Sequence, residues 1–221
     1  MDENPITEYK IACYVDRITA HYIVVKPTAP YKSYEEFVDY VKKNPGKVSF
    51  GTSIGSRNHF KFVEWASAAG LDFKWVESGK TAASISSILG GHIDVTAIDA
   101  SNALSYAKSG DLRILCCSDE PLERNEINKD VKTWEQLGFT NLKCQDPIMM
   151  FVSKKVPDQT VQEINEVLFN AYSNPEMIEY MKKKGSTLKP YDLAKSNEIY
   201  KDCFEVYDQV GAILGVKAKR K

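Results

Sequence analysis

This sequence of 221 residues has no marked excess of either positive or negative charge. Its 29 Lys and Arg stand against 30 Asp and Glu, for a formal net charge of −1. A surface so balanced gives no support to nucleic-acid binding as the main role. The basic end Lys217-Ala218-Lys219-Arg220-Lys221 is local and reads as a solvated tail. Long apolar runs are missing too. No stretch reaches the roughly 18 apolar residues of a spanning helix. The start Met1-Asp2-Glu3-Asn4-Pro5 is acidic and polar, so no signal peptide is expected in it. Histidine is scarce, at 3, and the 5 cysteines show no C-x-x-C or Cys/His ligand spacing. That argues against zinc, and no metal or organic cofactor is expected. An odd number of cysteines cannot all pair, so buried free thiols are expected. Cys13, Cys144 and Cys203 are far apart, while the adjacent Cys116 and Cys117 would face opposite sides of a strand.

Two catalytic signatures are also absent. Gly79-Lys80-Thr81 mimics the end of a phosphate-binding P-loop, but the position that needs the leading glycine holds Lys74. No G-x-S-x-G elbow is present. A hydrolase would have to use His59 as the base for Ser53 or Ser56, and Ser56 and His59 do fall on one helix face. Asp94 and Asp99 could form a carboxylate pair, although structural roles suit both better. The expectation is no catalysis.

What the sequence does have is a threefold pattern between Lys47 and Asn102. A short apolar run leads into a small polar loop, and the loop into a helix signal. Val48-Ser49-Phe50-Gly51 precedes Thr52-Ser53-Ile54-Gly55-Ser56-Arg57-Asn58. Phe73-Lys74-Trp75-Val76 precedes Glu77-Ser78-Gly79-Lys80-Thr81. Ile93 to Ile98 precedes Asp99-Ala100-Ser101-Asn102. In a parallel sheet such loops share one edge, so three helix N-termini would face one crevice. Their free N–H groups and positive dipole ends suit a small anion.

The wider chain reads as follows. Ile11–Val15 and Ala20–Val25 are expected strands. Ser33 with Glu36 forms a capping box for a helix carrying Phe37, Tyr40 and Val41, ended at Asn44-Pro45-Gly46. Helices from about Ser56 to Gly70, from Thr81 to Gly90-Gly91, and from Asn102 to Gly110 alternate with strands, ending in Leu112–Cys117. This alternation predicts βα units and a parallel sheet. Thr133 to Gly138 should form a helical turn or two, and Ile148–Ser153 a last strand. Three helices close the chain: after Pro157, after the cap Asn174 with Pro175 at its first position, and from near Asp192. The expected division is a complete α/β lobe over 28–142. A partial lobe would combine 1–27 with 143–221, and the chain would cross near Lys26-Pro27 and near Cys144 to Pro147.

The ordered motifs resemble those of the tripartite tricarboxylate transporter solute-binding proteins, also called the Bug or TctC family. Asn44-Pro45-Gly46-Lys47-Val48-Ser49-Phe50-Gly51 is similar to the family's strand entry, and Gly55-Ser56 with His59 to its helix start. Leu89-Gly90-Gly91-His92-Ile93-Asp94, Ser109-Gly110-Asp111-Leu112-Arg113-Ile114-Leu115 and Val131 to Gly138 match further family segments in order. Gly79-Lys80-Thr81-Ala82 occupies the place of a family turn. The resemblance implies an α/β, periplasmic-binding-protein-like Venus flytrap of type II, acting extracytoplasmically. It also implies a small carboxylate or zwitterionic solute and integral-membrane permease subunits as partners. A strand bearing P-x-x-P-G-G, normal at the family's start, is not found here, so the expectation is a member short of the first units of lobe one. The exposed sheet edge this would leave could support a homo-oligomer. A sensor or interaction protein keeping only the lobe is the alternative. Glu77, where the family has an aromatic or small residue, would repel an acid unless it points away or pairs with Lys80.

The candidate ligand contacts are Ser53, Ile54, Gly55, Ser56 and Asn58 in the first loop, Gly79, Thr81 and Ala82 in the second, and Asp99 in the third. Ser56 and Asp99 could instead simply cap their helices. His59 is expected to be structural, His92 to serve a turn, and His21 has no assigned role.

Overall fold

The structure is a computed structural model, and it describes residues 8–142, 147–183 and 185–215. Elements follow in the order β1 (Tyr9–Ile18), β2 (His21–Val25), α1 (Tyr34–Lys43), β3 (Ser49–Thr52), α2 (Arg57–Ala69), β4 (Lys74–Glu77), α3 (Thr81–Leu89), β5 (Val95–Asp99), α4 (Ala100–Ser109), β6 (Arg113–Cys117), β7 (Ile148–Ser153), α5 (Asp158–Ser173), α6 (Pro175–Lys183), β8 (Thr187–Pro190) and α7 (Leu193–Ile213). The chain divides into two compact units, residues 19–142 and residues 1–18 with 143–221.

The unit of residues 19–142 is built on a five-stranded sheet of order β4-β3-β5-β2-β6. β3 pairs parallel with both β4 and β5, whereas β2 runs antiparallel to β5 and β6. The sheet is therefore mixed, not the parallel sheet the alternation predicts. β2 enters without a preceding helix of its own, and its continuous apolar run fits the sheet centre, where both faces are covered. β2 also departs from the expected grouping of residues 1–27: it belongs with the five-stranded sheet, and only β1 stays with the C-terminal helices. Two residues between β1 and β2 could make a hairpin, but no pairing joins these strands.

Side chains alternate across β2. Ile23 and Val25 enter a cluster with Phe37, Val41, Phe62, Trp65 and Phe73 from the side of α1 and α2. Tyr22 and Val24 enter a second cluster with Ile85, Ile88 and Ala103 of α3 and α4. Cys116 and Cys117 divide between the same two clusters, as adjacent strand positions should. Cys13, Cys116, Cys117 and Cys203 are free thiols; Cys144 lies outside the described residues, as does most of the expected crossing from Cys144 to Pro147. Trp65 stacks on Trp134 at 5.2 Å.

Local signals place the helices. Ser33 Oγ accepts the Glu36 N–H, and the Glu36 carboxylate takes the Lys32 N–H, so α1 starts where the capping box predicts. α4 begins at Ala100, two residues before the expected Asn102, because Asp99 is its cap. Thr133 and Gln136 exchange side-chain and backbone bonds as a capping box. The segment they cap closes into hydrogen-bonded turns rather than a helix.

The other unit has an antiparallel sheet of order β7-β1-β8, with α5 and α7 packed on β1. Buried Asn165 of α5 donates to the Ala12 carbonyl, and Ser196 of α7 accepts the Tyr14 N–H. β8 was not expected. Its four residues lack an alternating pattern and end in Pro190, which is tolerated only because the strand lies at the sheet edge.

Candidate functional site

Because β3, β4 and β5 are adjacent and parallel, their C-terminal ends lie on one rim of the sheet. The three loops singled out by sequence therefore come together there. β2 begins at the same rim, with His21 opposite Asp99.

In the first loop nearly every amide is already used. Gly55, at φ 78°, adopts a backbone that other residues rarely take. Its N–H donates to His59 Nδ1. The Ser56 N–H donates to the Ser53 carbonyl, so it is not the open donor that the three-helix pattern suggests. Ser56 Oγ accepts the His59 N–H and caps α2. This hydroxyl therefore meets the backbone of His59 and not its ring, contrary to what a Ser–His catalytic pair requires. His59 is buried, and with Nδ1 accepting, its proton sits on Nε2, which has no hydrogen-bond partner among the described residues. Burial lowers the His59 pKa, against an opposing influence from the Glu77 charge.

The second loop is joined to the first through Glu77. One carboxylate oxygen takes the Ile54 N–H at 2.7 Å, and the other takes the Gly79 N–H at 2.8 Å. Gly79 takes φ 75°, a backbone region that favours glycine, as the chain enters α3. Glu77 thus neither turns away nor forms the salt bridge with Lys80 that would have neutralised it. Ser78 and Ser84 hydroxyls meet at 2.7 Å behind the loop. Lys80 is the N-cap of α3 and supplies no side-chain cap bond. The first intrahelical bond runs from Ser84 to the Lys80 carbonyl. The opening amides of α3, at Thr81, Ala82 and Ala83, are the ones a helix leaves without internal partners.

The third loop is closed differently. Asp99 accepts from the Asn102 amide, the Asn102 side chain and the Ser101 hydroxyl. Burial opposes ionisation of Asp99, yet these hydrogen bonds outweigh it and hold the carboxyl below its usual range. Its charge offsets the dipole of α4 locally. Asp94 lies at the other end of β5, where it bonds Ser49. Five residues of strand, roughly 16 Å, separate the two carboxylates, which rules out an acid–base pair.

Beside these loops lies an enclosed polar group that sequence reasoning missed. Lys61 of α2 meets Asp119 at 2.7 Å, and Ser118 donates to the same carboxylate. Ser118 Oγ also accepts the His21 N–H, and His21 Nε2 lies 3.3 Å from Asn58 Nδ2. Burial, then the Lys61 charge, lowers the His21 pKa to about 4. Ser118-Asp119 directly follows the Cys117 strand end; a polar pair at that point was the available signal.

Of the residues predicted from sequence, Ser53, Ile54, Gly55, Ser56, Gly79, Thr81 and Ala82 share the rim with Asn58 and Asp99. They differ in what they still offer. Ile54, Gly55, Ser56 and Gly79 spend their amides internally, Asp99 is saturated by its own helix, and Thr81 and Ala82 stand at the one helix start of the three without a side-chain cap. Among the described residues no cluster of His, Cys, Asp or Glu could hold a metal ion. No helix there is long and apolar enough to cross a membrane.

A Cupriavidus necator protein described as a UPF0065 protein in the gbd 5′ region is 28% identical over 171 residues, covering 76% of this chain and 50% of the relative. An R. palustris protein solved with adipate superposes with a TM-score of 0.71 at 14% identity, covering 98% of this chain and 72% of that one. MatC from Rhodopseudomonas palustris, solved with malate, gives 0.64 at 15%, covering 91% and 69%. The chain spans half the length of the curated relatives it matches. The fold is thus α/β and periplasmic-binding-protein-like, of type II, and it spans 72% and 69% of the length of these two neighbours. The model for the tripartite tricarboxylate transporter family receptor matches residues 4–213, and the chain belongs to that family.

Proposed function

We propose that this chain is the solute-binding part of an extracytoplasmic receptor, and that it takes up a small carboxylate-bearing solute without chemical change. The uncapped start of α3, on the same rim as the loops of β3 and β5, carries this reading. Amides left open at a helix N-terminus hold a carboxylate through hydrogen bonds and the helix dipole together. Lys80 adds a positive charge at the same place. The carboxylates seen with two similar structures, adipate and malate, are consistent with a ligand of this class.

In this reading Thr81 and Ala82 give direct contact, and Ser53, Ile54, Gly55, Ser56, Asn58 and Gly79 shape the wall around it. Residues 19–142 then act as the lobe that holds the solute. The receptor passes its cargo to integral-membrane permease subunits.

Amide chemical shifts of the whole chain, recorded during titration with a panel of mono-, di- and tricarboxylates and amino acids, test the idea. Saturable shifts should centre on Lys80 to Ala83. A panel that moves no amide there refutes the proposal.

A further inference from the structure

An exposed glutamate that takes two backbone amides from two different loops is unusual at a surface. Water would satisfy it equally well, and holding it costs side-chain freedom. Here Ile54 and Gly79 both aim their N–H groups at Glu77, across 23 residues of sequence in one case and two in the other. Both donors belong to the loops expected to receive an anion. The position that a ligand carboxylate would take between them is filled by a carboxylate of the chain itself. Its negative charge remains, since neither bond comes from a cation, and no salt bridge to Glu77 exists among the described residues.

We propose that Glu77 is the specificity-determining residue of the rim. Supplying the carboxylate held by the Ile54 and Gly79 amides, it selects a solute with one carboxylate and one cationic nitrogen over a dicarboxylate. The solute carboxylate meets the open amides of α3 and Lys80, and its ammonium meets Glu77. The two poles stand three residues apart in sequence, at the end of β4 and the start of α3. The charge order along the rim is thus fixed: negative at Glu77, positive at Lys80 and the start of α3. A diacid presents its second carboxylate to Glu77 and is repelled there. The assignment rests on the solute-binding reading above.

γ-Aminobutyrate and glutarate provide the probes, since one carries an ammonium where the other carries a carboxylate. An exposed charge contact is worth a few-fold in affinity, and the diacid suffers a repulsion of similar size, so the wild-type chain should prefer γ-aminobutyrate about tenfold. In Glu77→Gln that ratio should collapse or invert. Amide shifts give a second readout that needs no solute. The Ile54 and Gly79 N–H resonances, which share one carboxylate as acceptor, should both move in Glu77→Gln. Amides that keep their wild-type shifts in Glu77→Gln overturn the assignment. So does a variant that loses stability but keeps the wild-type preference, because Glu77 is then only a staple between loops. If neither probe binds either protein, the selectivity assignment is overturned, while the solute role still stands or falls with the wider panel.

Discussion

Removing the Lys61 ammonium should be among the most damaging single changes at the rim. The Lys61 and Asp119 side chains are 6% and 16% exposed and meet at 2.7 Å. Lys61→Met keeps the aliphatic length but leaves the Asp119 carboxylate enclosed, with the Ser118 hydroxyl as its remaining side-chain donor. Stranding one member of a buried pair costs about 3 to 5 kcal/mol. The Ser118 bond and the partial exposure of Asp119 place the expected loss near the low end, about 3 kcal/mol. For a chain of this size that is a fall of roughly 6 to 12 °C in Tm. Removing both charges in Lys61→Met/Asp119→Asn should recover most of the loss, because Asn still accepts from Ser118 and no ion remains buried.

His21 reports on the same pair. The Lys61 charge lowers its pKa and the Asp119 charge raises it. Lys61→Met should therefore move the His21 midpoint up, and Asp119→Asn should move it down. Urea unfolding gives the first quantity, and NMR titration of the imidazole gives the second. A Lys61→Met variant within about 0.5 kcal/mol of wild type, with an unmoved His21, refutes the claim that this pair is buried and coupled to the rim.

His21 itself makes stability depend on pH. Its pKa is about 4 when folded and about 6.5 when unfolded, so the unfolded chain binds the extra proton first. The stability it contributes is full above pH 6.5 and is lost as pH falls towards 4, by at most about 3 kcal/mol; His21→Gln should flatten that part of a urea-midpoint curve. Ser56→Ala should cost about 1 kcal/mol by uncapping α2, and Ser56→Gly only a few tenths, read by chemical denaturation. Trp65→Ala should cost about 3 to 5 kcal/mol and erase near-ultraviolet circular dichroism from the ring pair with Trp134.

How far the sequence could be read depended on the range of the interaction concerned. Signals within a few residues survived well. Ser33 with Glu36, the Gly70 stop of α2 and the Pro175 start of α6 all lie where local chemistry puts them. The division of Cys116 and Cys117 between two cores follows from strand periodicity alone. Direction of a strand is not local. Nothing within His21–Val25 says that it runs against its neighbours; that is decided by where β5 and β6 leave room. Pairing of β8 with β1 is set by contacts about 170 residues away in sequence and was equally hidden. The Lys61–Asp119 pair joins a helix face to a loop 58 residues later, and helical spacing alone marks Lys61 as a solvated position.

The same distinction explains why three similar loops are not equivalent. Each has the strand-end, polar-loop, helix-start pattern, and pattern alone makes three anion seats of them. Whether a helix start is open depends on which oxygen reaches its first amides. Ser56 and Asp99 both reach the third amide of their own helices, a local event that Ser and Asp routinely produce. The side chain at Lys80 has no acceptor to offer, so α3 keeps its donors. Glu77 could have closed α3 as well, being three residues before its cap, but its carboxylate takes the Gly79 and Ile54 amides instead, and the left-handed turn at Gly79 then sets the course of the chain into α3. One glycine conformation thus separates a helix start that remains available from an acid placed beside it. Replacing Gly79 with Ala tests that separation. A Cβ there would lie 3.1 Å from Ala83 in a backbone region costly for L-residues, so the turn should relax, the Ile54 amide should lose its carboxylate-dependent shift, and any selectivity between ammonium and carboxylate solutes should fall with it. A variant in which the Ile54 shift persists would show that Glu77 is positioned by something other than this turn.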